Sequence, residues 1–397
     1  MLVSVLFTLL TAIGAQASPW GRGIDDPNYN PSLYNSSIPY IRDVVPGNYV
    51  KDISQCPKLT RRPIPDNAHD VRLDDITVVM ALGDSVTAAM FAKAKNPLQL
   101  LEYRGVSYAT GRDPGALTLA NFMNNYTPNV GGSTGAHLVT LCAAGGPLCT
   151  PHWGLTDGLN SAISGAHASN LPFEASSWIV PKYKNLAKAD GWAFLNIMIG
   201  PNDMCQYCAA ADFGIGNSQE YASGIRDAVQ QIRAVVPRLI VNVIGTFHVS
   251  DIYAKTVTSS YCWNPLFPIV PHPPIECPCA SFPGAIGDIK RSKMDTLASQ
   301  YDDAIRTVVR GWQAENDPHF GVTFQPGSLV NIKNSPLTAL SPADCFHPSL
   351  ESHKRFAAGV WNRMATTQDK RDIETKWEND VWIRCVEESD RIQLNQI

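Results

Sequence analysis

No excess of either charge marks this chain: Lys+Arg number 32 against Asp+Glu 36, a formal net charge of -4 over 397 residues. The missing basic surplus excludes a polybasic nucleic-acid binder. With 44% hydrophobic and 17% charged residues, the composition is not that of a disordered chain. Charged side chains are also absent from Met1 to Ala17, an apolar run closing on Ala15-Gln16-Ala17. That run is short for a membrane span and ends in a small-residue cleavage pattern, so residues 1–17 are expected to be a signal peptide. No later segment offers about twenty uninterrupted apolar residues, so no stable membrane span is expected. Internal repeats and low-complexity tracts are missing too. The expectation is a secreted, extracellular protein whose core is large enough to fold without metals.

What is present agrees with export. There are ten cysteines, an even number that reads in an exported chain as up to five disulfides of undetermined pairing. Asn35-Ser36-Ser37 and Asn125-Tyr126-Thr127 are sequons, making Asn35 and Asn125 glycosylation candidates.

Residues 18–70, rich in Pro, Asn, Tyr and Asp, read as an extended N-terminal arm. Apolar, β-branched runs follow at Ile76–Leu82, Trp192–Ile199 and Leu239–Ile244, with weaker ones at His137–Leu141 and Val322–Gln325. Between them, Tyr221, Ile225, Ala228, Val229, Ile232 and Val236 recur at helical spacing. Met294, Leu297, Tyr301, Ile305, Val308 and Trp312 do the same, and a further helix after Pro348 turns Phe356, Val360, Trp361 and Met364 inward. Continuous apolar strands alternating with helices predict an α/β fold with a mainly parallel five-stranded sheet covered on both faces. The body is expected over 71–367. A Cys- and Pro-rich surface loop interrupts it at 262–283, and a charge-dense, solvated appendage follows at 368–397, held by Cys385. In such sheets the functional crevice lies beyond the carboxyl ends of the strands, so the residues just after each strand are the ones to examine.

Gly83-Asp84-Ser85 follows the first strand. Gly83 permits a sharp turn and Ser85 can project a hydroxyl into the crevice, although a serine here serves equally as a helix N-cap. After the second strand comes Gly200-Pro201-Asn202-Asp203, where the Asn202 amide is a possible oxyanion donor or an ordinary turn residue. Near the C-terminus lies Asp344-Cys345-Phe346-His347-Pro348. Asp and His three residues apart can supply a base and the carboxylate that orients it, and Pro348 biases His347 away from helical geometry.

Together these segments resemble the GDSL, or SGNH, hydrolase superfamily: Gly83-Asp84-Ser85, Gly200-x-Asn202-Asp203 and Asp344-x-x-His347, with Gly165 in Leu159–Ala166 matching the family's glycine block. Tyr103-Arg104-Gly105-Val106-Ser107-Tyr108, Asn202-Asp203-Met204-Cys205-Gln206-Tyr207-Cys208, and Tyr261-Cys262 with Cys277-Pro278-Cys279 resemble its phospholipase B branch. So do Asp344-Cys345-Phe346-His347 and Trp361-Asn362, and the likeness spans roughly 70 to 365. Departures are Val86, Ala89 and Pro201, none of them a reactive group. The resemblance implies a three-layer α/β/α, flavodoxin-like SGNH fold. It makes Ser85 the nucleophile, His347 the general base, Asp344 its orienter, and Ser85 N–H, Gly165 N–H and the Asn202 amide the oxyanion hole. It implies no metal and no cofactor. Asp84 and Asp203 are expected to hold backbone turns.

The implied activity is hydrolysis of acyl esters of glycerophospholipids, with a carbohydrate acetylesterase or a short-chain carboxylesterase as alternatives on the same fold. The partner is a lipid or ester substrate, with transient lipid-surface contact through Leu266, Phe267, Ile269 and Val270. A different class remains open: Cys205-x-x-Cys208 with Cys277-x-Cys279 is compatible with a zinc-stabilised or disulfide-stabilised binding protein without catalysis.

Overall fold

Four strands, β1 (Ile76–Gly83), β2 (Trp192–Met198), β3 (Leu239–Ile244) and β4 (Phe320–Gln325), form one sheet in that order in the computed structural model. All neighbours are parallel, with Ala81, Asn196, Asn242 and Thr323 aligned across the sheet. Only Thr77 in these strands is not fully buried, as the unbroken apolar runs require of a sheet covered on both faces. The described residues are 37–142, 149–150, 152–186, 191–210, 216–257, 259, 277–327 and 331–394.

The alternation along β4 identifies the two layers. Phe324 lies under the Arg306 guanidinium, 4.4 Å from the ring centroid, in a helix running Gly284–Ala314. Its neighbour Gln325 donates to Val360 O at 3.0 Å, in a helix running Leu350–Arg363. Numbering the longer helices in chain order, α1 is Leu119–Tyr126, α2 Pro201–Ala210, α3 Ser218–Arg233, α4 Gly284–Ala314 and α5 Leu350–Arg363. On one face α3 packs on α4, where Tyr221 stacks on Tyr301 at 4.2 Å. On the other, α5 packs on α1 through Phe122 and Trp361.

The expected fifth strand is replaced. Beyond β1 the sheet is continued among the described residues only by single parallel bridges, Val78 to Val130 and Ala81 to Asn160. Pro128 and the left-handed Gly131 (φ +95°) keep this edge from regular strand geometry, and a Cβ on Gly131 would lie 2.3 Å from Val79 O. The weak candidate at His137–Leu141 contributes instead to a separate antiparallel pair, Leu101–Glu102 with His137–Leu138. The chain therefore leaves β1 toward one edge and returns across it to β2, which places the end of β1 at a switch point in strand order.

The C-terminal segment is not a solvated appendage: Ile383, Val386, Ile392 and Leu394 are buried in the main core, Arg371 is buried and donates to Gln393 O at 2.6 Å, and Arg384 and Arg391 pair with Asp390 and Asp70. Ile383–Arg384 pairs antiparallel with Tyr49–Val50 of the N-terminal arm, and Cys56–Cys385 fastens the two segments across 329 residues of sequence. Cys142 bonds Cys149 and Cys205 bonds Cys277, and Cys279 and Cys345 are disulfide-bonded as well. Cross-linking so long a loop chiefly restricts the unfolded chain. Replacing Cys56 and Cys385 together by Ser is expected to cost about 2–4 kcal/mol in denaturant or thermal unfolding while leaving the sheet intact by circular dichroism.

Candidate active site

At the end of β1 the chain must turn within contact of β2. A Cβ on Gly83, whose φ is +152°, would fall 2.4 Å from Met198 O. The Gly83 N–H donates to Glu174 Oε2 at 3.0 Å, and Asp84 Oδ1 accepts the Val86 N–H at 2.9 Å. This turn presents Ser85, whose Oγ lies 2.8 Å from His347 Nε2.

His347 reaches that position on a loop built around Asp344. Asp344 Oδ1 accepts the Phe346 and His347 backbone N–H groups at 3.0 and 3.1 Å, which leaves Oδ2 to bond His347 Nδ1. With Nδ1–H donating to the carboxylate, Nε2 is the acceptor for the Ser85 hydroxyl. Cys345, between them, is held at φ +51°, and the edge-on rings of Phe91 and Phe346 flank the imidazole.

Gly165 adopts φ +77°, and a Cβ there would approach Cys142 O to 3.1 Å. Among the described residues no acceptor is bound by the N–H of Ser85 or of Gly165. Asn202 stands in the first turn of α2 and donates one amide hydrogen to Ala166 O at 2.9 Å, which keeps its second near the same loop. The two N–H groups and this amide suit a developing negative charge on oxygen.

Three carboxyl groups are sealed beneath these loops. Burial pushes Asp84 up to about 7, Asp203 up to about 8 and Glu174 well above the usual carboxylate range. Asp203 shares the Ala168 N–H between its oxygens, 3.2 Å each, and Asp84 caps its own turn, so both hold backbone.

The sequence reading passed over a second buried network. Arg104 and Glu102 are fully buried and paired at 2.7 Å. Arg104 also donates to Ala162 O at 2.7 Å and Asn160 O at 3.3 Å, and Ser164 Oγ donates to Glu102 Oε1 at 2.6 Å. Asp157 lies 3.6 Å from Arg104 and 2.7 Å from His137 Nε2. The clamp thus grips the strand of backbone that ends in Gly165. Its signal was a charged residue closing the apolar run Leu100-Leu101-Glu102, two residues before Arg104.

Of the other expectations, Asn125 is half-buried and its amide nitrogen donates to Ile53 O at 3.0 Å. Asn35 and the loop segment Leu266–Val270 lie outside the described residues. The zinc reading fails, because Cys205, Cys277 and Cys279 are in disulfides and offer no thiolate.

A family model described as GDSL-like Lipase/Acylhydrolase matches residues 79–360. The chain is similar to the membrane-associated phospholipase B1 of Homo sapiens, 27% identical over 344 residues, covering 81% of this chain and 22% of that protein. The corresponding protein of Rattus norvegicus is 25% identical over 337 residues, covering 81% and 21%. The chain spans about a fifth of the length of these relatives. Among solved structures it matches an acetyl xylan esterase from Geobacillus stearothermophilus at 15% identity and a TM-score of 0.36, covering 77% of this chain and all of that one.

Two outcomes follow from the buried charges. Arg104→Met leaves Glu102 and Asp157 without their cation and is expected to cost about 3–5 kcal/mol of stability in chemical unfolding. Arg104→Lys, which keeps the charge but not the fork, should cost less. The raised carboxyl groups bind protons in the folded state that the unfolded chain has already released. Stability therefore falls as pH rises from about 4 through the values near 7 and 8. Asp203→Asn should flatten that slope by at most about 1.4 kcal/mol per pH unit, measured by unfolding between pH 5 and 9.

Proposed function

This chain belongs to the GDSL-like lipase/acylhydrolase family, and within that family we propose that it is an exported phospholipase B-type enzyme cleaving acyl esters of glycerophospholipids. It is an ester-bond hydrolase by family. The finer assignment of residues and substrate is our reading. The observation that supports it most is the hydrogen-bonded series Ser85 Oγ, His347 Nε2, His347 Nδ1, Asp344, together with the Ser85 and Gly165 N–H groups, which bind no acceptor among the described residues.

In this reading Ser85 Oγ attacks the ester carbonyl carbon as its proton passes to His347 Nε2. Asp344 stabilises the imidazolium that results. The carbonyl oxygen becomes an oxyanion received by the Ser85 and Gly165 N–H groups and the Asn202 amide, each donor contributing about 2.7–4 kcal/mol in the transition state. His347 then hands its proton to the departing glycerol oxygen as the C–O bond breaks, leaving an acyl group on Ser85. Water repeats the sequence: His347 takes its proton, the hydroxide adds, and the fatty acid leaves as Ser85 is reprotonated. The chemistry uses only the chain's own residues. The glycerophospholipid substrate rests on the phospholipase B1 similarity. Export rests on the disulfides, together with the absence among the described residues of any helix long and apolar enough to cross a membrane.

Hydrolysis of phosphatidylcholine, lysophosphatidylcholine, a short-chain aryl ester and an acetylated polysaccharide, by wild type and by Ser85→Ala, tests the reading. Fatty acid release from both phospholipids, lost by several orders of magnitude in Ser85→Ala, is expected. Deacetylation alone would move the substrate to carbohydrate. Activity surviving in Ser85→Ala would overturn the assignment of the nucleophile.

A further inference from the structure

Six of the fourteen large apolar side chains exposed among the described residues belong to two neighbouring segments. Leu98, Leu100, Leu138, Leu141, Trp153 and Leu155 are 72, 52, 61, 52, 49 and 97% exposed. Backbone pairing gathers them around the two-stranded unit Leu101–Glu102/His137–Leu138. Leu101 faces Leu138 in register, and Val139 N–H donates to Leu100 O at 3.1 Å. Leu141 O accepts the Thr150 N–H at 2.9 Å, and the Trp153 ring stacks on His137 at 5.3 Å.

This surface is joined to the reaction centre from both sides of the oxyanion hole. The segment carrying Leu98 and Leu100 leaves directly from the nucleophile turn, where Met90 N–H donates to Ser85 O at 2.9 Å. On the other side, Leu141 bridges Ser164, and Cys142 N–H donates to Ser164 O at 3.0 Å, one residue before Gly165.

Its charge is as distinctive as its apolarity. Neither Val86–Leu101 nor Ser133–Thr156 contains an Asp or Glu, in a chain whose formal net charge is -4. The cations of these segments, Lys93 and Lys95, are exposed beside the leucines. Glu102 and Asp157, the acidic groups of the adjoining clamp, have fully buried side chains. The acidic group that touches these segments from outside the clamp, Asp113, has its Oδ1 engaged by the Gly135 N–H at 2.8 Å. Leucines and a tryptophan able to penetrate an acyl layer, with exposed lysines in the same segment, fit one occupant. We infer that this face docks on a phospholipid surface and holds Ser85 at the level of the acyl ester. The inference rests on the phospholipid reading above and deepens it. It places the contact on a different segment from Leu266–Val270.

The experiment separates docking from chemistry. Ser85→Ala protein is floated with phosphatidylcholine vesicles, with and without phosphatidylserine. It is compared with the same protein also carrying Leu98→Ser, Leu138→Ser and Leu155→Ser, and hydrolysis is measured with Ser85 restored. Docking requires that the triple substitution lower vesicle binding and vesicle hydrolysis by about tenfold or more, while kcat/KM on a soluble aryl ester stays unchanged. Phosphatidylserine should strengthen binding and salt should weaken it. Should the triple variant also lose ester hydrolysis, Leu155→Asp alone decides, because a side chain 97% exposed has little native packing to lose. Vesicle binding undiminished in Leu155→Asp would then overturn the inference. Wild-type vesicle binding by the triple variant would overturn it directly. So would a wild-type dimer in solution that the triple variant dissolves, which would assign the face to a second copy. Vesicle binding without phospholipid hydrolysis would instead remove the substrate reading and leave the docking surface standing.

Discussion

The contact between Arg104 and Glu102 organises more of this molecule than its place in a two-residue strand would indicate. Neither side chain is exposed, so neither charge has water to fall back on, and each must find its partners within the protein. Glu102 receives Arg104, Thr140 Oγ and Ser164 Oγ, while Arg104 spends its remaining donors on the carbonyls of Asn160 and Ala162. Desolvating such a pair gives little net stability, but losing one member leaves the other stranded. The consequence is positional. Backbone 160–164 is held at several points, and Gly165 follows at its end with an N–H that binds no acceptor among the described residues.

The turn carrying Ser85 is fixed by the same economy from the other direction. Asn160 Nδ2 donates to Thr87 O at 3.1 Å and Ser107 Oγ to the same carbonyl at 2.6 Å, so the turn carrying Ser85 is tied to the clamp as well as to Glu174. A polar line continues under the sheet, from Thr87 to Tyr108 OH, then to Asn196 Nδ2 at 2.8 Å, and from Asn242 Nδ2 to Asn196 Oδ1 at 2.8 Å. Buried amides in register across parallel strands penalise any slip of one residue, because a slip would strand them in apolar surroundings. The crevice is thus rigid because its polar groups have few alternatives.

What could be read from the sequence follows the same division. Unbroken β-branched runs identified β1, β2 and β3, since a strand buried on both faces can carry little else. The 3.6-residue spacing identified α3, α4 and α5 by the side chains that now face inward. Ser85, Asp344 and His347, each ambiguous alone, were singled out by their resemblance to the GDSL pattern, and the structure brings them into one hydrogen-bonded series. The edge beyond β1 was not legible, since a boundary made of Pro128, Gly131 and single bridges has no period. The C-terminal segment was misread because its buried apolar residues, Ile383, Val386, Ile392 and Leu394, are outnumbered by charges, most of which pair at the surface while Arg371 is buried against Thr323 and Gln393. That Glu102, Arg104, Asp157 and His137 form one network could not be read from a single charged residue closing an apolar run: four polar residues spread over 56 positions acquire meaning only when the chain returns past β1.

That return also explains why apolar side chains stand in water beside so tightly buried a network. The pair Leu101–Glu102/His137–Leu138 has only two faces. Glu102 and His137 turn to the clamp, and the period of two then sends Leu101 and Leu138 the other way. Burying those residues under a further layer would cover the approach to Gly165 and Ser85, which the same loops border. An ester hydrolase with the site proposed above must keep that approach open, so the outer face of the element that holds the loop ending in Gly165 cannot be closed by the protein itself. The docking proposed above resolves the conflict, since a surface that presents the ester within an apolar layer also removes the leucines from water.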